Sequence, residues 1–376
     1  MRSVHIAMDK FRGCFTQEEI TELLRSIVAP HFSFIRTYPM ADGGEGSLDF
    51  LRVLQWREIP IKAMGPDATT RASFLVQSPD CSTIAIELAE IAGQKHASEA
   101  LTGWQATSEG LGLALRQAAS YKPSTILICL GGSASSDGGL GVFSGLGIQV
   151  VDRTCRQVPR GLSGLVKAES VNPESLSATR KLFSGIEIRV LVDTRAQLVG
   201  KPNSISMYGK QKGLGFTQRL IATHYFKKWA KLLQSLNPMC DPRAPGMGAA
   251  GGCAAALHSI FDTSLVSGSE FFCDLSGISN EIDSNSLVMT GEGLVDSSTL
   301  TGKTIMPVIH SAVKKKSQLV IIAGSIKPSV KKEIQSLAPS ALFFEILQFA
   351  SNKEQAITRA SEILRKNLLR ELELLP

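Results

Sequence analysis

The apolar run Thr125-Ile-Leu-Ile-Cys-Leu130 leads straight into Gly131-Gly-Ser-Ala-Ser-Ser-Asp-Gly-Gly-Leu-Gly141, and this junction constrains the fold more than any other stretch. An uninterrupted run of this length and β-branched content is that of a buried strand. A polar, glycine-rich turn at a strand's carboxyl end is where open α/β sheets bind ligands, and amides unobstructed by Cβ atoms can surround a phosphate. A plain strand-to-helix turn would use glycine too. It would not call for the hydroxyls and carboxylate gathered at Ser133, Ser135, Ser136 and Asp137.

The same alternation runs through the chain. Val4 to Met8 reads as a strand, and Thr16-Gln-Glu-Glu19 is a capping-box pattern opening an apolar-periodic stretch to Val28. Further strands are expected at 32–36, 83–87, 126–130, 187–192, 287–289, 319–323 and 341–345. Helices are expected at 48–54, 110–119, 218–236, 249–260, 303–316 and 354–372. The expected class is α/β with substantial parallel sheet.

A chain of 376 residues exceeds one ordinary hydrophobic core, so two domains are expected. Gly65-Pro66-Asp67 is a turn signal that could open a second domain, and the polar, acidic passage 272–283 could close it. On that reading residues 1–65 and 284–376 form one discontinuous domain with 66–283 inserted. No repeat or low-complexity segment is visible.

Net charge is +6, yet the longest basic run is Lys314-Lys315-Lys316, which reads as a solvated helix end. No nucleic-acid partner is expected. Seven cysteines form no Cys-x-x-Cys pair and six histidines stand far apart, which speaks against a disulfide framework or a structural zinc. No apolar run reaches the roughly 18 residues that cross a bilayer, and the amino terminus becomes polar too early for a secretory signal. The expected location is the cytoplasm, with no membrane contact.

Four other glycine-rich segments compete for a role. Asp42-Gly-Gly-Glu-Gly46 precedes an expected helix; capping by Asp42 explains one aspartate but not three glycines. Thr290-Gly-Glu-Gly293 is expected as a turn after the strand 287–289, with Asp296 and Gly302-Lys303-Thr304 close behind. The Gly-Lys-Thr imitates the end of a Walker A loop, but residue 297 is serine where the first glycine should stand. Gly246-Met-Gly-Ala-Ala-Gly251 matches Gly-x-Gly-x-x-Gly, but Asp241-Pro-Arg-Ala-Pro245 precedes it instead of a strand. Close packing against a phosphate or a neighbouring helix is the safer reading. Gly209-Lys-Gln-Lys-Gly213 is a basic turn whose lysines are expected in solvent, and Asp193 ends a strand, where it could face a ligand or stabilise a turn.

No Gly-x-Ser-x-Gly elbow and no histidine-activated cysteine is present. Carboxylates beside phosphate-compatible turns are the set that metal-assisted phosphoryl transfer uses.

In their order, Ala7-Met-Asp-Lys-Phe-Arg-Gly13, Ala41-Asp-Gly-Gly-Glu-Gly46, Gly131-Gly-Ser-Ala-Ser-Ser-Asp-Gly-Gly139, Gly209-Lys-Gln-Lys-Gly213, Pro245-Gly-Met-Gly-Ala-Ala-Gly-Gly252, Thr290-Gly-Glu-Gly293 with Asp296 and Gly302-Lys303, and Ala323-Gly-Ser325 resemble the type I glycerate kinase family. The resemblance spans nearly the whole chain. It implies phosphorylation of glycerate with ATP and Mg2+ and two α/β domains. One of these would be Rossmann-like or flavodoxin-like and discontinuous, with a mixed α/β domain inserted and the active site in the cleft between them. Whether the chain forms a homodimer, and which hydroxyl is phosphorylated, stay open.

Under that resemblance, nucleotide phosphates would lie near Gly131, Gly132, Ser133 and Asp137, and near Gly291, Glu292, Gly293 and Lys303. Asp296 or Glu292 would hold magnesium. Asp42 and Asp193 would orient or deprotonate the accepting hydroxyl, and Arg12 would bind the substrate carboxylate or a phosphate. The chain departs from the family pattern where Met8, Lys10 and Arg12 replace proline, serine and lysine, where Ser136 and Ala196 replace asparagines, where Gln197 replaces a proline and where Leu294 replaces an arginine. Glu109 adds a carboxylate. Lys10, Arg195 and Lys210 are the added cations that could compensate. These departures leave two alternatives: a diverged member with another substrate, or a non-catalytic binding or regulatory protein, separable from a kinase by assay with ATP, Mg2+ and D-glycerate. A nicotinamide-dependent oxidoreductase rests on Gly246 to Gly251 alone and would require NAD or NADP binding.

Overall fold

A computed structural model describes residues 3–98, 100–301 and 303–372. Among these, thirteen strands run in the order β1 Ser3–Met8, β2 Phe34–Thr37, β3 Arg57–Met64, β4 Thr70–Gln77, β5 Thr83–Glu87, β6 Thr125–Cys129, β7 Val150–Val151, β8 Ser170–Val171, β9 Glu187–Val192, β10 Ser264–Ser267, β11 Ser286–Val295, β12 Gln318–Ile326 and β13 Leu342–Glu345. Two compact units result. One comprises residues 1–42 and 269–376, the other 43–268.

In the first unit five strands, all parallel, lie in the order β13-β12-β11-β1-β2. Numbered by appearance within the unit, this is the 2-1-3-4-5 order of flavodoxin-like sheets. Strand residues alternate between two cores. Val4, Ile6 and Met8 with Val320 and Ile322 pack beneath the helices Gln17–Val28 and Ala360–Leu372, while Ala7 with Ile321 and Ala323 packs beneath Ile305–Lys315. Burial on both faces is why these strands read as continuous apolar runs. The expected capping box opens the first helix: Glu19 N donates to Thr16 Oγ1 at 3.2 Å and Thr16 N to Glu19 Oε2 at 2.7 Å.

The second unit has a six-stranded mixed sheet, β10-β9-β6-β5-β4-β3, in which β10, β9, β6 and β5 are parallel and β4 and β3 antiparallel. Pro60 lies in β3, the edge strand, where a missing N–H costs no ladder bond to a further neighbour.

The chain divides after residues 42 and 268, not at the expected 65 and 283. Gly65-Pro66-Asp67 turns out to be a hairpin turn joining β3 to β4, which pair from Arg57↔Gln77 to Met64↔Thr70. At the other boundary, Cys273, Ile278 and Ile282 belong to a core of the first unit. Two further expectations change. Thr290-Gly-Glu-Gly293 is strand rather than turn, because β11 keeps its pairing with β12 as far as Val295↔Ile326. The expected helix at 354–372 breaks at Arg359 into Lys353–Thr358 and Ala360–Leu372. Among the described residues all seven cysteines are free and no helix is long and apolar enough to cross a membrane.

Candidate active site

In the first unit the strand order reverses between β1 and β11, and ligands of such sheets bind at the carboxyl ends flanking that reversal. Asp9 and Glu292 occupy those ends. Asp9 accepts from its neighbour Lys10 N at 2.7 Å and from Thr304 Oγ1 at 3.0 Å. Burial, then repulsion from Asp42, raises its pKa above the ordinary carboxylate value. Glu292 accepts from Thr299 Oγ1 at 2.6 Å, and the Lys303 ammonium stands 3.9 Å away. Burial dominates here too, with Asp9 and Asp296 adding repulsion, and pushes Glu292 up to about 7. Asp296 behaves differently. Partial burial opposes its ionisation, but hydrogen bonds from Ser298 N and Oγ, with Lys303 nearby, hold it below the usual range.

Four carboxylates and a lysine therefore surround one switch point. Gln17 helps fix it: its Nε2 donates to Met8 O at 2.7 Å and Met40 O at 2.9 Å, tying the end of β1 to the segment approaching Asp42. Arg12 is exposed in the turn after β1. Gly291 and Gly293 are explained by space, since a Cβ on Gly291 would fall 1.7 Å from Ile322 O and one on Gly293 3.2 Å from Phe11 Cα. Gly302 lies outside the described residues.

In the second unit the carboxyl ends of β5, β6 and β9 present Glu87, the 131–139 turn and Asp193. Glu87, rather than Asp42, caps the helix Ser47–Val53, accepting from Gly46 N at 3.2 Å and Leu48 N at 3.0 Å. Burial raises it to about 7. A Cβ on Gly131 would lie 2.3 Å from Gly44 Cα and 3.2 Å from Asp193 Oδ2, so two glycine segments and one carboxylate converge on this turn.

The turn is a less open cradle than its sequence implies. The amides of Gly131, Ala134, Ser136 and Gly138 donate to Gly43, Ala92, Gly103 and Gly251 carbonyls. Those of Gly139 and Gly141 donate to Asp137. Asp137 is fully buried and also accepts from Ser108 N and Oγ, so its carboxylate shapes the turn and has no face left for a nucleotide. Cation chemistry enters instead from Lys212, whose Nζ donates to Ser133 Oγ at 2.7 Å and Ser135 O at 2.6 Å. Burial lowers Lys212 to about 8, against the raising influence of Cys253, Asp137 and Asp193.

Gly246-Met-Gly-Ala-Ala-Gly251 contributes packing. Ala250, Gly251 and Gly252 have left-handed dihedrals, so the expected helix at 249–260 is irregular until Cys253. No strand leads into the motif, which removes the dinucleotide reading. Sequence reasoning missed Asp9, Thr304, Glu87 and Lys212. Asp9 and Glu87 carried a usable signal, a carboxylate at the end of an apolar run; Lys212 was marked only by its place in the motif Gly209-Lys-Gln-Lys-Gly213, whose lysines read as solvated. A cavity of about 1030 Å3 in this unit, lined by Leu198, Asn203, Phe226 and Arg243 among others, contains none of the expected site residues.

Residues 4–374 match the family model described as the glycerate kinase family. The chain belongs to the glycerate kinase family. Among its relatives in that family, the glycerate 2-kinase of Escherichia coli K12 is 28% identical over 86% of this chain and 86% of its own. The glycerate kinase of Neisseria meningitidis serogroup B is 27% identical over 95% of this chain and 94% of its own. A crystal structure of a protein assigned as glycerate kinase 2 from Salmonella typhimurium LT2 superposes with a TM-score of 0.76 at 25% identity, covering 99% of this chain and 98% of that one.

Where this glycerate kinase departs from the family pattern, the structure accounts for one departure directly. Glu109 begins the helix Glu109–Ser120 and is ion-paired with Arg160, which neutralises the added carboxylate. Ser136 and Ala196 are buried, and Leu294 is 44% exposed.

Proposed function

We propose that glycerate phosphorylation, the reaction of this chain's family, uses ATP as donor in the presence of Mg2+. Asp193 is the group that takes the proton of the attacking hydroxyl. The observation that carries this is its position, with Oδ2 3.2 Å from the Cβ site of Gly131, a half-buried carboxylate directly beside the phosphate-compatible turn. A base must reach both the hydroxyl and the phosphoryl path, and a strand end beside a glycine without a side chain leaves room for both.

Phosphoryl transfer leaves the protein little covalent chemistry, so positioning and charge supply most of the rate. The phosphates lie along Gly131, Gly132 and Ser133. Arg12 takes the glycerate carboxylate, and Asp42 orients the substrate hydroxyls. Among the described residues no group of three metal-ligating side chains forms a closed cage. Glu292 and Asp296 fit Mg2+ nonetheless, since this ion is held by one or two carboxylates with water and substrate phosphates completing its shell. When bound, it neutralises phosphate charge; Lys303, 3.9 Å from Glu292, adds a positive charge at the same place. The free thiols suit a reducing cytoplasm.

A coupled assay with ATP, Mg2+ and D-glycerate tests the reading. Loss of a general base costs about 10^2 to 10^4 in rate, so Asp193→Ala should lose at least 100-fold in kcat while keeping its circular dichroism spectrum. A parent rate no higher than that of Asp193→Ala would overturn the assignment.

A further inference from the structure

We propose that Lys212 is a catalytic residue, its ammonium binding a non-bridging oxygen of the transferred phosphoryl group directly and through the Ser133 hydroxyl. This rests on the reading that the phosphates lie along the 131–133 segment.

The 131–139 turn by itself has little to offer an anion. Its amides at 131, 134, 136, 138, 139 and 141 are already bonded to protein acceptors, and the amides at 132, 133 and 135 carry no net charge with which to neutralise a polyphosphate. Asp137 is spent internally, and as a carboxylate it could only repel. Lys212 is the cation fixed to the turn. It reaches it from the 209–213 segment, where Lys212 O also accepts from Gly103 N at 2.6 Å and Lys212 N donates to Tyr208 O at 3.0 Å.

An ammonium has three N–H donors. Two go to Ser133 Oγ and Ser135 O, and among the described residues the third meets no protein acceptor. Because Ser133 Oγ accepts from Lys212, its own proton is free to be donated outward. Anchoring thus yields two donors aimed at an oxyanion, one charged and one polarised by that charge. Lys212 is half-buried, which strengthens such contacts without closing the site.

The groups facing Lys212 are Asp137 in the turn, Asp193 at the end of β9 and Cys253 on its helix, with Tyr208 one turn away on its own segment. Burial raises the Cys253 thiol and the Tyr208 phenol. Lys212, lowered to about 8, is the group of this cluster that loses its charge there.

The test compares Lys212→Met and Lys212→Arg with the parent in ATP- and Mg2+-dependent D-glycerate phosphorylation. Removing one preorganised oxyanion donor costs about 10^2 to 10^3 in kcat, so Lys212→Met should fall by at least about 100-fold with KM for D-glycerate changed less than about threefold. In the parent, kcat/KM for ATP should decline above a limb near pH 8 that Lys212→Arg lacks. Lys212→Met retaining kcat within about threefold overturns the proposal while leaving the kinase reading intact. An inactive parent overturns both. If Lys212→Met does not fold, the parent profile decides, and one flat from about pH 7 to 9.5 overturns the proposal.

Discussion

Gly138 N donates to Gly251 O at 2.9 Å, so the two glycine-rich segments that look most like separate ligand sites in the sequence are one backbone contact. Around that bond, Gly139 abuts Cys253 Cα and Ala256 Cβ, and Gly252 abuts Gly138 Cα. The closeness holds the carboxyl half of the 131–139 turn against the irregular start of the helix after Cys253.

Substitution at Gly251 should therefore cost more than its backbone conformation alone. Gly251 and Gly185 both have positive φ, 67° and 82°, but a Cβ on Gly251 would sit 2.3 Å from Ser135 O, whereas Gly185 has nothing within 4 Å. Gly185→Ala should cost about 1–2 kcal/mol from left-handed strain, and Gly251→Ala about 1–3 kcal/mol beyond that from overpacking. All three tryptophans, Trp56, Trp104 and Trp229, lie in the second unit, so urea unfolding followed by their fluorescence reads it directly. Equal losses for the two variants would show that the contact is not tight.

Asp137→Ala should destabilise the second unit without any direct effect on nucleotide contact. The substitution leaves the Ser108, Gly139 and Gly141 amides buried without acceptors. At about 1–3 kcal/mol for each unsatisfied buried donor, a loss of at least about 3 kcal/mol is expected. The same fluorescence measurement checks it, and a variant as stable as the parent would mean that water replaces the carboxylate.

Much of the fold was legible because local and tertiary signals agree. Thr16 and Glu19 cap a helix whose apolar spacing already faces a core, and β1, β6 and β12 are runs buried on both faces. The β3–β4 hairpin escaped notice because Pro60 breaks the strand pattern and only an edge position makes it tolerable. In the candidate site, Asp193, Asp42 and Glu292 were visible as carboxylates near strand ends or glycine turns. Lys212 was not, because its meaning depends on Ser133 and Ser135, some eighty residues earlier, and a lysine between glycines reads as solvated. Asp137 looked like a ligand group for the opposite reason: the number of amides it absorbs is a property of the folded turn.

Glu109 was the carboxylate most at odds with an anionic substrate, and its pairing with Arg160 predicts that it is harmless. Glu109→Gln should leave KM for D-glycerate within about twofold and change stability by less than about 1 kcal/mol, as for partly exposed ion pairs. Steady-state kinetics at low ionic strength gives the most sensitive check. A KM reduced tenfold or more would show that the carboxylate repels substrate despite Arg160.

Glu87 gives stability a definite pH dependence. Its folded pKa is about 7 against an ordinary 4.5, so between those values the folded state binds the extra proton and stability falls as pH rises. At 1.36 kcal/mol per unit the loss is on the order of 3 kcal/mol by pH 7.5, for a residue only 3% exposed. In Glu87→Gln the side-chain oxygen still accepts from Gly46 and Leu48, but the titration is gone. The variant should therefore gain on the parent as pH rises from about 4.5 to 7.5, by a difference of that order, read from tryptophan fluorescence in urea. Glu292 contributes a slope of the same sign in the other unit, where no tryptophan reports it, so the fluorescence difference isolates Glu87. Parallel stability curves for the two proteins would mean that Glu87 ionises in the folded unit as readily as in water.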